Sequence, residues 1–205
     1  MIPLPQTHPQ LSVHNLGGDV FEFKVESWRV VGKDGRIKRG ARWWSVVDLI
    51  VLIGLAWIWD ERQRLLQSRY KALALAAVVV RYLHSKCNHV LWESILAFPS
   101  HGVQLEVHRG IPPTPLTPPL AISVSRRFVP LHSVMDIVIN EGLRTWDFRY
   151  YLAVIRTTQA QDSLEDVQVE VGFENINPPF AVLSEVYHGL REVLFDEIED
   201  SSTDR

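Results

Sequence analysis

The sequence of 205 residues holds a single cysteine, Cys87, and so cannot form an intramolecular disulfide. A secreted disulfide scaffold is excluded, and the chain is free to face a reducing cytosol. Positive charge is also scarce, since 21 Lys and Arg against 24 Asp and Glu leave a formal net charge of -3. That balance excludes a generic polyanion binder, because nucleic-acid affinity comes largely from cations that neutralise phosphates. No G-x-S-x-G, Walker-type or G-x-G-x-x-G motif occurs. A nucleophile elbow, a phosphate-cradling loop and a dinucleotide-binding turn are therefore unsupported. Residues 1 to 18 lack the positive and apolar regions of a signal peptide and read as a loose lead-in. Hydrophobic residues at 46% with charged residues at 22% match a folded chain rather than a disordered one.

Aromatic and apolar residues are concentrated instead of spread. Trp43, Trp44, Trp57 and Trp59 flank the run WWSVVDLIVLIGLAWIW, whose one ionisable residue is Asp48. As a helix this run reaches about 26 Å, slightly short of a bilayer core of ~30 Å. It reads either as a membrane-entering helix with tryptophans at the headgroup boundary or as a buried core helix. A second apolar stretch, Ala72 to Val80, follows a charged connector. Basic residues before, between and after the two stretches give no clean positive-inside asymmetry. The pattern is best accommodated by a re-entrant hairpin over residues 43–83 with both ends cytosolic, a two-span hairpin being the alternative. A carboxylate at the depth of Asp48 must be protonated, near the interface or paired with a partner helix.

Before this hairpin, residues 1–42 form a lead-in with room for short strands in Val20 to Val31, closed by the turn Lys33-Asp34-Gly35. After it, six segments alternate like antiparallel strands: 91–98, 102–108, 122–129, 134–140, 148–156 and 164–173. The proline-rich loop 111–120 separates the second from the third. A helix is predicted from about Phe180 to Ile198, with Phe180, Leu183, Val186, Tyr187, Leu190, Val193 and Leu194 on one stripe. The fold class expected is α+β. An apolar membrane hairpin precedes a mainly antiparallel, pleckstrin-homology-like barrel or sheet over 88–198, capped by the C-terminal helix, with an acidic tail at 199–205.

Chemistry is sparse. His84, Cys87 and His89 lack the paired spacing of a zinc site, so no metal and no cofactor is expected. Asp136 shares strand parity with Asn140 while Glu141 points the other way, so the two carboxylates do not face each other unless a bulge intervenes. A surface or interface role outranks catalysis. Gly189 interrupts the last helix at a cost of ~1 kcal/mol relative to Ala, which implies a close backbone approach or mere tolerance.

Several segments together resemble the PIG-H family, a component of the phosphatidylinositol N-acetylglucosaminyltransferase complex. They are Glu93-Ser94-Ile95-Leu96 with Gly102-Val103-Gln104-Leu105, Arg127-Phe128-Val129-Pro130-Leu131 leading into Asp136-Ile137-Val138-Ile139-Asn140-Glu141, then Tyr150-Tyr151-Leu152, and Glu185-Val186-Tyr187-His188-Gly189-Leu190-Arg191. The resemblance implies a non-catalytic subunit at the endoplasmic reticulum membrane, with its folded domain on the cytosolic side. Such a subunit associates with the sugar-transferring subunit, other membrane subunits and membrane lipid in the first step of GPI-anchor synthesis. The expected partner-facing residues are Asp136, Asn140, Glu141, Tyr187, Gly189 and Arg191, and the expected membrane anchors are Trp43, Trp44, Asp48, Trp57 and Trp59. The alternative is a free-standing pleckstrin-homology-like module binding lipid or protein at a membrane surface. Its usual basic clamp is missing, because the first strand connection is Pro99-Ser100-His101.

Overall fold

The computed structural model describes residues 8–31, 36–39, 46–60, 69–113, 117–144, 146–159 and 165–196. Strands β1 (Leu11–Asn15) and β2 (Phe21–Glu26) open the chain, followed by β3 (Trp28–Val31) and β4 (Arg36–Arg39). Two helices come next, α1 (Val46–Asp60) and α2 (Arg69–Cys87). Six strands follow: β5 (His89–Phe98), β6 (Gly102–Ile111), β7 (Leu120–Pro130), β8 (Val134–Arg144), β9 (Asp147–Gln159) and β10 (Glu165–Gly172). Helix α3 (Phe180–Arg191) runs into a wider π turn, Glu192–Asp196.

The strands pair antiparallel in a five-stranded sheet of order β1-β2-β5-β6-β7, a three-stranded sheet of order β10-β9-β8, and a β3-β4 ribbon. Alternation explains which face each strand buries. Phe23 and Val25 of β2, Ile95 and Ala97 of β5, Val103 and Leu105 of β6, and Val129 of β7 all point into one core. Ile137, Leu152 and Val154 close it from the second sheet, and α3 inserts Val182, Leu183, Val186 and Leu190. The β5–β6 turn requires glycine at Gly102, whose φ is 139° and where a Cβ would collide with the Val129 carbonyl.

The six strands expected after residue 88 are all present, but the architecture differs from a barrel built on that segment alone. Strand β2 pairs with β5 through Phe21↔Ala97 to Glu26↔Trp92, and β1 extends the sheet beyond it. The lead-in is thus sheet, and α1 and α2 are an excursion between two neighbouring strands. Strands β2 and β3 fall within Val20 to Val31, where short strands were expected; β1 was illegible because Leu11–Asn15 offers only Leu11 and Val13 as alternating apolar residues.

The expected apolar membrane hairpin over 43–83 is corrected. Among the described residues, no helix is long and apolar enough to cross a membrane. At 15 residues α1 spans about 22 Å against ~30 Å of hydrocarbon. The 19 residues of α2 carry Arg69, Lys71, Arg81 and Lys86. What joins the helices is polar: Lys86 Nζ lies 2.6 Å from Asp48 Oδ1, and the Tyr82 hydroxyl donates to the same oxygen at 2.6 Å. Asp48 occupies the first turn of α1 and Lys86 the last turn of α2, so each charge also complements its own helix dipole. Of the expected anchors, Trp43 and Trp44 lie outside the described residues, and Trp57 and Trp59 fall within α1.

Candidate functional site

The expected partner-facing residues do not form one patch. Asp136 and Asn140 turn their side-chain oxygens back onto their own strand, accepting from the Ile137 and Glu141 amides at 2.8 Å each. A register shift between Val134 and Asp136 marks the bulge that strand parity alone does not reveal. On α3, residues 187 and 189 are two positions apart and point to opposite sides, whereas 187 and 191 share a side. Gly189 faces inward: a Cβ there would sit 2.6 Å from the Phe23 ring of β2. The glycine is therefore a close-approach site between helix and sheet. Tyr187 is half-buried against the core and Arg191 is exposed, and the guanidinium donates to the Tyr187 hydroxyl at 2.9 Å. Tyr187 meets Val138 and Ile139 of β8 in a shallow hollow of about 480 Å³, closed by Tyr150 and Phe180 with ring centroids 5.0 Å apart. Phe180 is thus not on the buried stripe; it stacks outside it.

Glu93 is the buried polar residue that sequence reasoning passed over. It sits on the core face of β5 and is 2% exposed. Its carboxylate accepts from the backbone amides of Asn175 and Ile176 and from the Asn175 side-chain amide, the last at 2.6 Å. These donors belong to the loop from β10 to α3, where Phe173 and Asn177 hold left-handed φ values of 56° and 49°. Glu93 thereby fixes the strained connection that aims α3 at the core. A second polar linkage joins the sheets, as Arg127 of β7 pairs with Glu170 of β10 at 2.9 Å and Glu170 pairs with Arg156 of β9 at 3.1 Å.

The outer face of the five-stranded sheet carries the nearest approach to a catalytic grouping. His108 Nε2 lies 2.9 Å from Glu106 Oε2, Arg126 and Gln104 donate to Glu106 Oε1 at 2.7 and 2.6 Å, and Trp92 stacks on His108 at 4.6 Å. Burial works to raise the Glu106 pKa, but the hydrogen bonds from His108, Arg126 and Gln104 prevail and hold it below the ordinary glutamate value. Ser94, paired in register with Glu106, is 1% exposed and its Oγ has no hydrogen-bond partner. A nucleophile needs a base within hydrogen-bond reach and access for substrate, and Ser94 has neither. The cluster ties strands together. Among the described residues, no group of three or more His, Cys, Asp or Glu could hold a metal ion. Cys87 and His89 flank the α2–β5 junction; burial and nearby Lys86 both lower the His89 pKa.

Exposed apolar surface is plentiful by comparison. Val46, Leu49, Ile50 and Ile53 of α1 and Leu73, Val78, Val80 and Leu83 of α2 are all more than half exposed. In folded proteins, large exposed apolar patches mark interaction sites.

A sequence match to the family described as "GPI-GlcNAc transferase complex, PIG-H component" covers residues 94–174, from within β5 to just beyond β10. This segment is similar to the PIG-H family. A curated relative, phosphatidylinositol N-acetylglucosaminyltransferase subunit gpi15 of Schizosaccharomyces pombe, is 29% identical over 106 residues, which is 52% of this chain and 54% of the relative. The chain thus spans about half the length of the curated relative it matches. No solved structure matches it. The matched segment contributes β6 to β10 and the second half of β5, whereas β1, β2 and α3, which complete its sheet and its core, lie outside the matched residues.

Proposed function

We propose that the chain is a non-catalytic subunit of the membrane complex that transfers N-acetylglucosamine from UDP-N-acetylglucosamine to phosphatidylinositol, the first step of GPI-anchor biosynthesis. The observation that carries this reading is the PIG-H match over 94–174. The name of the curated relative points to the same complex. The side chains support a bracing role: the polar clusters at Glu93 and Glu106 are engaged in holding strands and loops, and exposed apolar helix faces are available to partners. The chain works by placement. It brings the sugar-transferring subunit and other membrane subunits together on the cytosolic side of the endoplasmic reticulum, and reaches that membrane through those partners.

The test is to tag the full chain in cells, recover its complex, and measure sugar transfer from UDP-N-acetylglucosamine to phosphatidylinositol. Recovered complex is expected to be active, the purified single chain inactive. Transfer by the single chain, or failure to recover a transferase subunit, would overturn the reading.

A further inference from the structure

Between the β1–β2 hairpin and α3 lies a groove of about 660 Å³ lined, apart from Pro99, by residues outside the matched segment. Its floor is apolar, with Phe21 and Phe23 from β2 and Val193 from the turn after α3. Its rim is acidic, with Asp19 from the hairpin and Glu185 and Glu192 from the helix side. Among the described lining residues there is no lysine or arginine, and the one basic side chain is His188.

The groove exists because two local devices hold its walls apart. At the hairpin, Gly17, Gly18 and Asp19 take left-handed φ values of 91°, 63° and 61°, and the Gly17 amide donates to Asn15 Oδ1 at 2.8 Å. This compact turn lifts the Asp19 carboxylate to the rim. On the other wall, the missing side chain of Gly189 lets α3 seat directly on the Phe23 ring. The ring forms the floor, and the carboxylates at 185 and 192 stand beside it.

From this arrangement we infer that the groove docks a cationic amphipathic segment of a partner protein, whose apolar side chains cover Phe21, Phe23 and Val193 while its Lys or Arg side chains meet Asp19, Glu185 and Glu192. Three carboxylates around an apolar floor repel an anionic partner, and a small cation would leave the floor wet. A peptide carrying both features satisfies floor and rim together. The inference deepens the subunit reading by naming the chemistry of a partner contact.

The full chain is titrated with a short fluorescent leucine/lysine amphipathic peptide and with its leucine/glutamate counterpart. The lysine peptide is expected to bind at least tenfold more tightly, with affinity falling as salt rises. The double variant Glu185→Lys/Glu192→Lys should lose roughly tenfold for the lysine peptide and gain affinity for the glutamate one. The separate variant Val13→Ser, at an exposed position of the groove wall, removes apolar contact without altering charge and should weaken both peptides. Unchanged thermal melts confirm that each variant is folded. Equal binding of the two peptides, or no response to charge reversal, would overturn the inference. If the wild-type chain fails that titration but still recovers the transferase, the groove assignment alone fails; if peptide binding holds but no transferase is recovered, the subunit reading alone fails.

Discussion

At the scale of single residues, a few polar and small side chains take roles that their types do not announce. Glu93 occupies a position where strand parity calls for an apolar residue, and its carboxylate is matched by three donors on the β10–α3 loop. Truncation in Glu93→Ala leaves those donors buried without an acceptor. It is expected to destabilise the fold by about 2–4 kcal/mol and lower the melting temperature by roughly 5–15 °C, read by thermal denaturation, with Glu93→Gln milder. At Gly189 the sign is set by crowding. Alanine gains up to ~1 kcal/mol of helix propensity, but its Cβ would fall 2.6 Å from the Phe23 ring. Gly189→Ala is therefore expected to cost a net ~1–2 kcal/mol, partly recovered in the double variant with Phe23→Leu, as a denaturation cycle can show. Glu106 titrates below its ordinary value of 4.5, because His108, Arg126 and Gln104 donate to it. A depressed carboxylate pKa adds stability that is present above the ordinary value and lost as pH falls through the folded one. The acid limb of the stability profile should flatten in Glu106→Gln, while the profile above about pH 5 keeps its shape.

At the scale of elements, α1 and α2 show how one charge pair can join two helices that are distant in the chain. Asp48 is 1% exposed, and Lys86 reaches both of its oxygens, at 2.6 and 2.7 Å. Removing one partner of such a pair leaves the other charge uncompensated, which is worse than losing both. Asp48→Ala should accordingly lower amide hydrogen-exchange protection in both helices while leaving β5 and β6 protected. The double variant Asp48→Ala/Lys86→Met should recover part of it. The Tyr82 hydroxyl donates to the same carboxylate, which raises the Tyr82 pKa; desolvation and the nearby charge act in the same direction. Its contribution is full below the ordinary value of 10.0 and is lost as pH rises through the folded one. Outside the pair, the exposed faces of these helices are apolar, and in the absence of partners such surface drives self-association. Sedimentation of the purified chain should report oligomers, and Ile50→Glu/Ile53→Glu, at positions 62% and 61% exposed, should shift it towards monomer.

At the scale of the whole molecule, a single core is shared by two antiparallel sheets and one helix. Polar ties accompany it, with Arg127–Glu170–Arg156 between the sheets and the Glu93 clamp on the β10–α3 loop. Leu190 is fully buried in this core and the hollow by Tyr187 rests on Val138. Leu190→Asp should therefore prevent folding, whereas charge reversal at exposed Glu141 or Arg191 should leave the melting temperature within about a degree. Co-purification with a transferase subunit then separates core from surface: loss in the first case reports collapse, loss in the second reports contact.

Much of this was legible from the chain alone. Period-two alternation located β5 to β10, and a period near four located α3, because half-buried strands and helices must repeat their apolar residues at those spacings. The quoted PIG-H segments were readable for the same reason that motifs are, as contiguous residues. Tertiary structure decided the rest. Whether the β1–β2 hairpin belongs to the sheet depends on pairing between residues far apart in the chain, Phe21 with Ala97, which no local pattern encodes. Whether the apolar runs make a membrane-crossing helix turned on helix lengths among the described residues, and the partner of Asp48 lies 38 positions away. The roles of Glu93 and Gly189 were likewise hidden, since each is defined by what another strand or loop brings to it. Periodicity is a property of neighbours along the chain; register, charge pairing and close approach are properties of neighbours in space.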